Sequence, residues 1–247
     1  MFKWICFDWG DTLADVHGAV AELQRDQDMQ KVLESFGVKV TPAEFDEAYN
    51  FIAKEFSISM RGNVQRWQKG LFLHKLCERL NFPITEDEAA RMSDVYNKQF
   101  ISKLKLLPGA KEVVEFLAAK DIGLALISNA NGERIRRQLE FFGLRNYFSI
   151  IIISDELGFE KSSVEPFRTF LALATTVTPG LKPEECLMIG DRADEDCFAK
   201  EAGMKVAIVK RQHRAYEEGL KPDYWVSDLH ELKQLLQNIL VDVNGTK

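Results

Sequence analysis

The chain has 247 residues, 46% of them hydrophobic and 28% charged, with 15 Gly and 7 Pro; this composition excludes a fibrous or disordered chain and is sufficient for a core domain with a smaller inserted one. A formal net charge of -6 argues against a broad nucleic-acid-binding face, because phosphate backbones are held mainly by clustered Lys and Arg. The apolar runs, Ile150 to Ile153 among them, are all far below the ~20 residues of a membrane-spanning helix, so neither nucleic acid nor a membrane is expected as a partner.

The first strand-like stretch starts at Lys3 and leaves no room ahead of it for a signal peptide, so a cytoplasmic location is expected. Trp4 to Phe7 is a continuous apolar run followed by turn chemistry, the pattern of a strand buried on both faces. It leads into Asp8-Trp9-Gly10-Asp11-Thr12-Leu13, which puts Asp8 at the C-terminal edge of a strand, where open α/β sheets bind ligands. A carboxylate there can attack phosphorus and form an aspartyl-phosphate, or it can simply shape a turn; the local sequence leaves both open.

From Ala14 to about Lys103 the character changes to charged, helix-forming sequence with breaks at Gly37, at Thr41-Pro42 and at Pro83 to Thr85. Thr41 with Glu44 and Thr85 with Glu88 fit capping boxes. A helical domain over 14–103, inserted into a core made of 1–13 and 104–247, is predicted. Pro108-Gly109 marks the return to the core. Within the insert, Arg61, Asn63, Arg66 and Trp67 lie in a Gly-containing break and fit a solvated turn or a substrate-facing one.

Beyond the insert, apolar runs at Leu124 to Ile127, Ser149 to Ile153, Leu187 to Ile189 and Val206 to Val209 alternate with helix-period stretches. Those stretches are Ala110 to Lys120, Glu133 to Phe142, Pro166 to Thr175, Asp194 to Ala202 and Leu229 to Leu240. The alternation predicts a doubly wound, mainly parallel, Rossmann-like α/β sheet. Val241 to Lys247 is expected to fray.

Three more strand ends carry chemistry. Ser128-Asn129 offers a hydroxyl and nearby N–H groups for phosphoryl oxygens, or an N-cap for the next helix. Lys161 follows the third core strand, where an ammonium can neutralise a phosphate. In Gly190-Asp191-Arg192-Ala193-Asp194-Glu195-Asp196 the hard carboxylates suit Mg2+. Asp191, before the turn, is the first choice for a direct ligand, with Asp196 in support, while Asp194 and Glu195 answer the helix dipole. Cys6, Cys77, Cys186 and Cys197 form no CxxC pair and read as packed thiols. His17, His74, His213 and His230 show no metal-ligand spacing and receive no role. Lys210, Arg211 and Arg214 fit one solvated face or loop.

A carboxylate, a hydroxyl, a lysine and a second acidic group, ordered along four strand ends, resemble the four motifs of the haloacid dehalogenase superfamily. The resemblance extends to Pro108-Gly109, to Ser154 through Lys161, to Glu165-Pro166-Phe167 and to Pro222-Asp223-Tyr224 before a last strand. It implies a Mg2+-dependent phosphatase for a small phosphorylated metabolite, with a helical cap after the first motif. By the same resemblance Asp8 is the nucleophile; Ser128, Asn129 and Lys161 hold the phosphate; Asp8, the Gly10 carbonyl, Asp191 and Asp196 hold the metal. One position departs from the pattern. The family's phosphatases carry a general acid/base Asp two residues after the nucleophile, where this chain has Gly10. An Asp follows as Asp11, and since successive residues of an extended segment point to opposite sides, it does not simply fill that place. Whether Asp11 takes over the acid role stays open. A phosphate-binding protein of impaired activity is the main alternative. A haloacid dehalogenase proper would leave the carboxylates of Asp191 and Asp196 without a cation. A phosphonoacetaldehyde hydrolase would need a Schiff-base lysine, for which Lys54 is the nearest candidate.

Overall fold

A computed structural model describes residues 1–25, 27–219 and 221–241. The expected tail therefore lies, except for Val241, outside the described residues. The chain divides into two compact units, Met1–Asp15 with Lys105–Lys247 and Val16–Leu104. In chain order the elements are β1 (Trp4–Phe7), α1 (Val16–Arg25), α2 (Asp28–Ser35), α3 (Pro42–Ile58), α4 (Leu71–Arg79) and α5 (Glu86–Lys103). Then come α6 (Ala110–Ala118), β2 (Gly123–Ser128), α7 (Gly132–Phe141), β3 (Ile150–Ile153), α8 (Ser154–Leu157) and α9 (Glu165–Val177). The chain continues with β4 (Cys186–Gly190), α10 (Ala193–Asp196), β5 (Lys205–Val209), β6 (Tyr224–Val226) and α11 (Leu229–Val241).

The six strands form one sheet in the order β3-β2-β1-β4-β5-β6, parallel throughout. The apolar run of β1 is buried at every residue, as a central parallel strand covered on both faces must be. Trp4 and Cys6 join Ala125, Ile127, Phe167 and Phe170 in one core cluster, where Trp4 meets Phe170 edge-on at 5.7 Å. The indole N–H of Trp4 donates to Thr178 Oγ1 at 3.0 Å, so the polar handle of this buried ring is satisfied. Phe7 pairs in register with Leu126 on one side and Ile189 on the other. That register brings the ends of β2, β1 and β4 to one edge. The strand order reverses at β1, and this is the switch point at which doubly wound sheets open a crevice.

One expected helix is shorter than the sequence period implies. Asp194 to Ala202 is α10 followed by a 3-10 turn, Cys197–Ala202, that ends on Gly203 at φ 84°. The cysteines are free, and burial pushes the Cys77 thiol up to about 11 and the Cys186 thiol up to about 12.

The helical unit has its own core, built by Leu33, Phe45, Ile52, Leu73, Leu76 and Met92 among others. Both capping boxes form. Thr41 Oγ1 accepts from the Glu44 N–H at 3.3 Å while Glu44 accepts from the Thr41 N–H at 2.9 Å, and Thr85 with Glu88 repeats this at 3.2 and 2.8 Å. At the start of α4, Gly70 has φ 80° and a Cβ there would meet the Ala89 backbone at 2.7 Å, so only glycine allows this approach of α4 to α5. Among the described residues no helix is long and apolar enough to cross a membrane.

Candidate active site

The end of β1 passes into Asp8, which is nearly buried. Its Oδ1 accepts the Trp9 N–H at 2.7 Å and the Ser128 hydroxyl at 2.8 Å. Its Oδ2 faces the Lys161 ammonium at 3.0 Å. Lys161 Nζ also lies 2.7 Å from Asp196 Oδ1, so one lysine bridges the carboxylates that follow β1 and β4. Lys161 is 1% exposed, which the sequence reading of a loop lysine did not require. Burial acts against its charge, and the carboxylates of Asp196 and Asp8 outweigh it, holding the ammonium pKa above its ordinary value.

Asn129 sits beside Ser128 at the end of β2, but both polar ends of its side chain engage the protein. Its Nδ2 donates to Glu195 Oε2 at 2.9 Å and its Oδ1 accepts the Lys161 N–H at 2.9 Å. It therefore ties the Lys161 loop to α10. Glu195, read from sequence as a helix-dipole residue, is 3% exposed and pairs with Arg192 at 2.7 Å. Asp194 remains at the surface side of α10, bound to Arg192 Nη2 at 2.8 Å.

Asp191 and Asp196 are fully buried. Burial pushes the Asp191 carboxyl up to about 7, an effect that the Arg214 guanidinium opposes and the neighbouring Asp8 and Asp196 reinforce. Burial likewise raises the Asp196 carboxyl to about 6, against the pull of Lys161. Gly190 is required here, because a Cβ on it would overlap the Asp196 carboxylate. Asp8, Asp191 and Asp196 each present an oxygen within 4.8 Å of the other two. In an octahedral Mg2+ shell of radius about 2.1 Å ligand oxygens stand at most about 4.2 Å apart, close to this limit. Three buried carboxylates converging at this distance are hard oxygen donors, and in Asp191 and Asp196 burial disfavours the bare charge that a divalent cation would neutralise, so the residues fit Mg2+.

The loop after β1 differs from the extended segment expected at Gly10-Asp11. Asp11 adopts the left-handed conformation at φ 54°, and Gly10 is not among the glycines of positive φ. Asp tolerates this region better than most residues. The turn places Asp11, 7% exposed, near Asp191, its Oδ2 lying 3.1 Å from Arg214 Nη2 and 3.3 Å from His213 Nε2. Thr12 Oγ1 donates to Asp191 Oδ1 at 3.3 Å.

Arg211, His213 and Arg214 are the site residues that sequence reasoning missed. The basic group expected on a solvated face follows β5 and turns inward. Arg211 Nε donates to the Asp11 carbonyl at 2.5 Å and its Nη2 to the Thr12 carbonyl at 3.3 Å, holding the β1 loop. Arg214 binds Asp191 through Nε and Asp11 through Nη2. The signal available in the sequence was their position directly after an apolar run at the ligand-binding edge of the sheet.

The chain is similar in sequence and in fold to known proteins. A family model for haloacid dehalogenase-like hydrolases matches residues 2–203. The pyrimidine 5'-nucleotidase YjjG of Escherichia coli (strain K12) is 27% identical over 239 residues, 95% of this chain and 98% of its own. The glyceraldehyde 3-phosphate phosphatase of Methanocaldococcus jannaschii is 27% identical over 244 residues, 98% of this chain and 100% of its own. Among solved structures, YfnB from Bacillus subtilis, bound to magnesium, shares the fold with a TM-score of 0.68 at 20% identity, covering 95% of this chain and 98% of that one.

Proposed function

This chain belongs to the haloacid dehalogenase-like hydrolase family, and we propose that within it the protein is a Mg2+-dependent phosphoric monoester hydrolase acting on a small phosphorylated metabolite. The observation that carries this reading is the buried Lys161 ammonium, 3.0 Å from Asp8 and 2.7 Å from Asp196. An attacking carboxylate and an incoming phosphate repel each other, and a fixed cation between the nucleophile and the metal ligands offsets that repulsion. Relatives that align along nearly their whole length act on a nucleotide and on glyceraldehyde 3-phosphate by name, and the magnesium bound to YfnB accords with the donor set.

Asp8 attacks phosphorus: an O–P bond forms as the ester P–O bond breaks, and the leaving oxygen takes up a proton. Water then cleaves the acyl phosphate to inorganic phosphate and the free carboxylate. Ser128 and Lys161 hold phosphoryl oxygens, and Asn129 fixes the Lys161 backbone. Asp8, the Gly10 carbonyl, Asp191 and Asp196 would hold Mg2+, which would supply positive charge to the phosphoryl oxygens. Choice among esters is assigned to the helical unit.

Asp191→Asn is expected to weaken Mg2+ binding and turnover together, by about 100-fold in turnover, because it removes a buried ligand. Asp194→Asn, whose carboxylate pairs with Arg192 at the surface side, changes either by less than about threefold. Mg2+ titration alongside a screen of phosphorylated metabolites checks both, and the reverse ranking removes the metal assignment. A panel left unhydrolysed by a protein that binds phosphate tightly makes the chain a phosphate-binding protein instead.

The proton for the leaving group is the step that Gly10 puts at issue. Positioned acid catalysis is worth ~100 to 10,000-fold, so aryl esters such as p-nitrophenyl phosphate, which leave without a proton, are expected to exceed alkyl esters in turnover by at least about 100-fold. Since the positive φ falls on Asp11 and not on Gly10, Gly10→Asp demands no backbone that only glycine tolerates, and it raises alkyl ester hydrolysis. Asp11→Asn assigns the proton: selective loss of alkyl ester turnover in this variant makes Asp11 the acid and removes the account of a missing catalyst.

A further inference from the structure

The carboxylates of the metal site are all occupied by protein donors, and the donors differ in how readily they yield. Asp8 accepts from the Trp9 N–H, the Ser128 hydroxyl and Lys161. Asp196 accepts from Lys161 and from the Arg192 N–H at 3.0 Å. Asp191 accepts from Thr12 Oγ1 on one oxygen and from Arg214 Nε on the other. Backbone N–H groups cannot leave without unfolding their turns, and Lys161 is enclosed. Arg214 is different. Its side chain is 27% exposed and it stands on the connection from Val209 to Tyr224. A cleft of about 220 Å³ lies beside it, lined by Arg192, Asp194, His213, Arg214 and Tyr216 among others.

A divalent cation that takes the Asp191 oxygen now bound by Arg214 must displace the guanidinium, since two cations on one oxygen repel strongly in a buried site. Arg214 has both a place to go and a second anchor, because its Nη2 holds Asp11 at 3.1 Å. We propose that Arg214 is a displaceable counter-ion of the metal site: it neutralises Asp191 in the metal-free protein and yields that carboxylate to Mg2+ while staying tethered to Asp11. This inference rests on the metal reading above. Its role is positional and electrostatic. Arg214 keeps a buried carboxylate compensated between metal-binding events, at the expense of weaker Mg2+ affinity.

The consequence is contrary to that of losing an ordinary helper. Removing one partner of a buried pair destabilises the state that contains the pair, and here that is the metal-free state. Arg214→Ala is therefore expected to tighten Mg2+ binding by about tenfold or more, because the metal-free form loses its counter-ion and the bound form loses a repelling charge. Calorimetric titration of chelator-treated full-length protein with MgCl2, without substrate, reads this directly. The melting temperature of the metal-free variant falls, while that of the Mg2+-saturated variant stays near wild type. Arg214→Lys, which keeps the charge but not the two-point reach, tightens Mg2+ by less and supplies the measurement where the alanine variant does not fold without metal. Unchanged or weaker Mg2+ affinity in both variants overturns the proposal while leaving the metal site intact. No saturable Mg2+ binding by the wild type, or equal binding by Asp191→Asn, overturns the metal reading and this inference with it.

Discussion

Asp8→Asn is expected to reduce phosphoester turnover by at least ~10,000-fold, the scale of losing a nucleophile that acts as one unit with its neighbours. An amide has the shape of the carboxylate and keeps the Oδ1 that accepts from Trp9 and Ser128, but it is too weak a nucleophile to attack phosphorus. The fold is expected to survive, since the substitution removes one of two acceptors around Lys161 and leaves Asp196 in place. The same variant should bind inorganic phosphate in the presence of Mg2+ with affinity within an order of magnitude of wild type, and rapid quench with a labelled ester should trap no phosphoprotein. Turnover near the wild-type level, or a phosphoprotein in the variant, assigns the nucleophile elsewhere.

Lys161→Ala carries the second large effect, and it reaches both activity and stability. Turnover is expected to fall by ~100-fold or more, as for the loss of one preorganised electrostatic partner. The ammonium is also the shared counter-ion of Asp8 and Asp196 in a buried setting. Its removal leaves two buried carboxylates uncompensated, which typically costs about 3–5 kcal/mol. Lys161→Met separates charge from volume: it fills most of the space and is expected to destabilise nearly as much as alanine, since the uncompensated charge dominates. Denaturant unfolding in chelator measures the loss, and added Mg2+ restores part of it by supplying another cation to the same oxygens. A loss of turnover below tenfold together with a methionine variant as stable as wild type removes Lys161 from the site.

The strands and the groups at their ends were readable one segment at a time. The unbroken apolar runs of β1 and β4 require a sheet covered on both faces, and Asp8, Ser128 and Asp191 each follow directly from the end of such a run. The capping boxes at Thr41 and Thr85 were readable for the same reason, since their partners stand three residues apart. Parallel strands share one direction, so residues at their C-terminal ends meet at one edge whatever lies between them.

Other features depend on contacts that no local pattern encodes. Arg214 reaches Asp11 across 203 positions and Asp191 across 23, and in the sequence it is one of several basic residues on a polar connection. Glu195 differs from Asp194 only in the side of a single helical turn it occupies, yet one is buried against Arg192 and Asn129 and the other is not. Asp11 shows the limit most clearly. An extended reading sends its side chain away from the crevice, whereas φ 54° turns it toward Asp191, and that backbone choice is held by the Arg211 guanidinium on the Asp11 and Thr12 carbonyls from two hundred residues along the chain. Side-chain direction in a tight loop follows from one dihedral, and a dihedral of this kind is decided by whatever packs and bonds against the loop once the sheet has assembled.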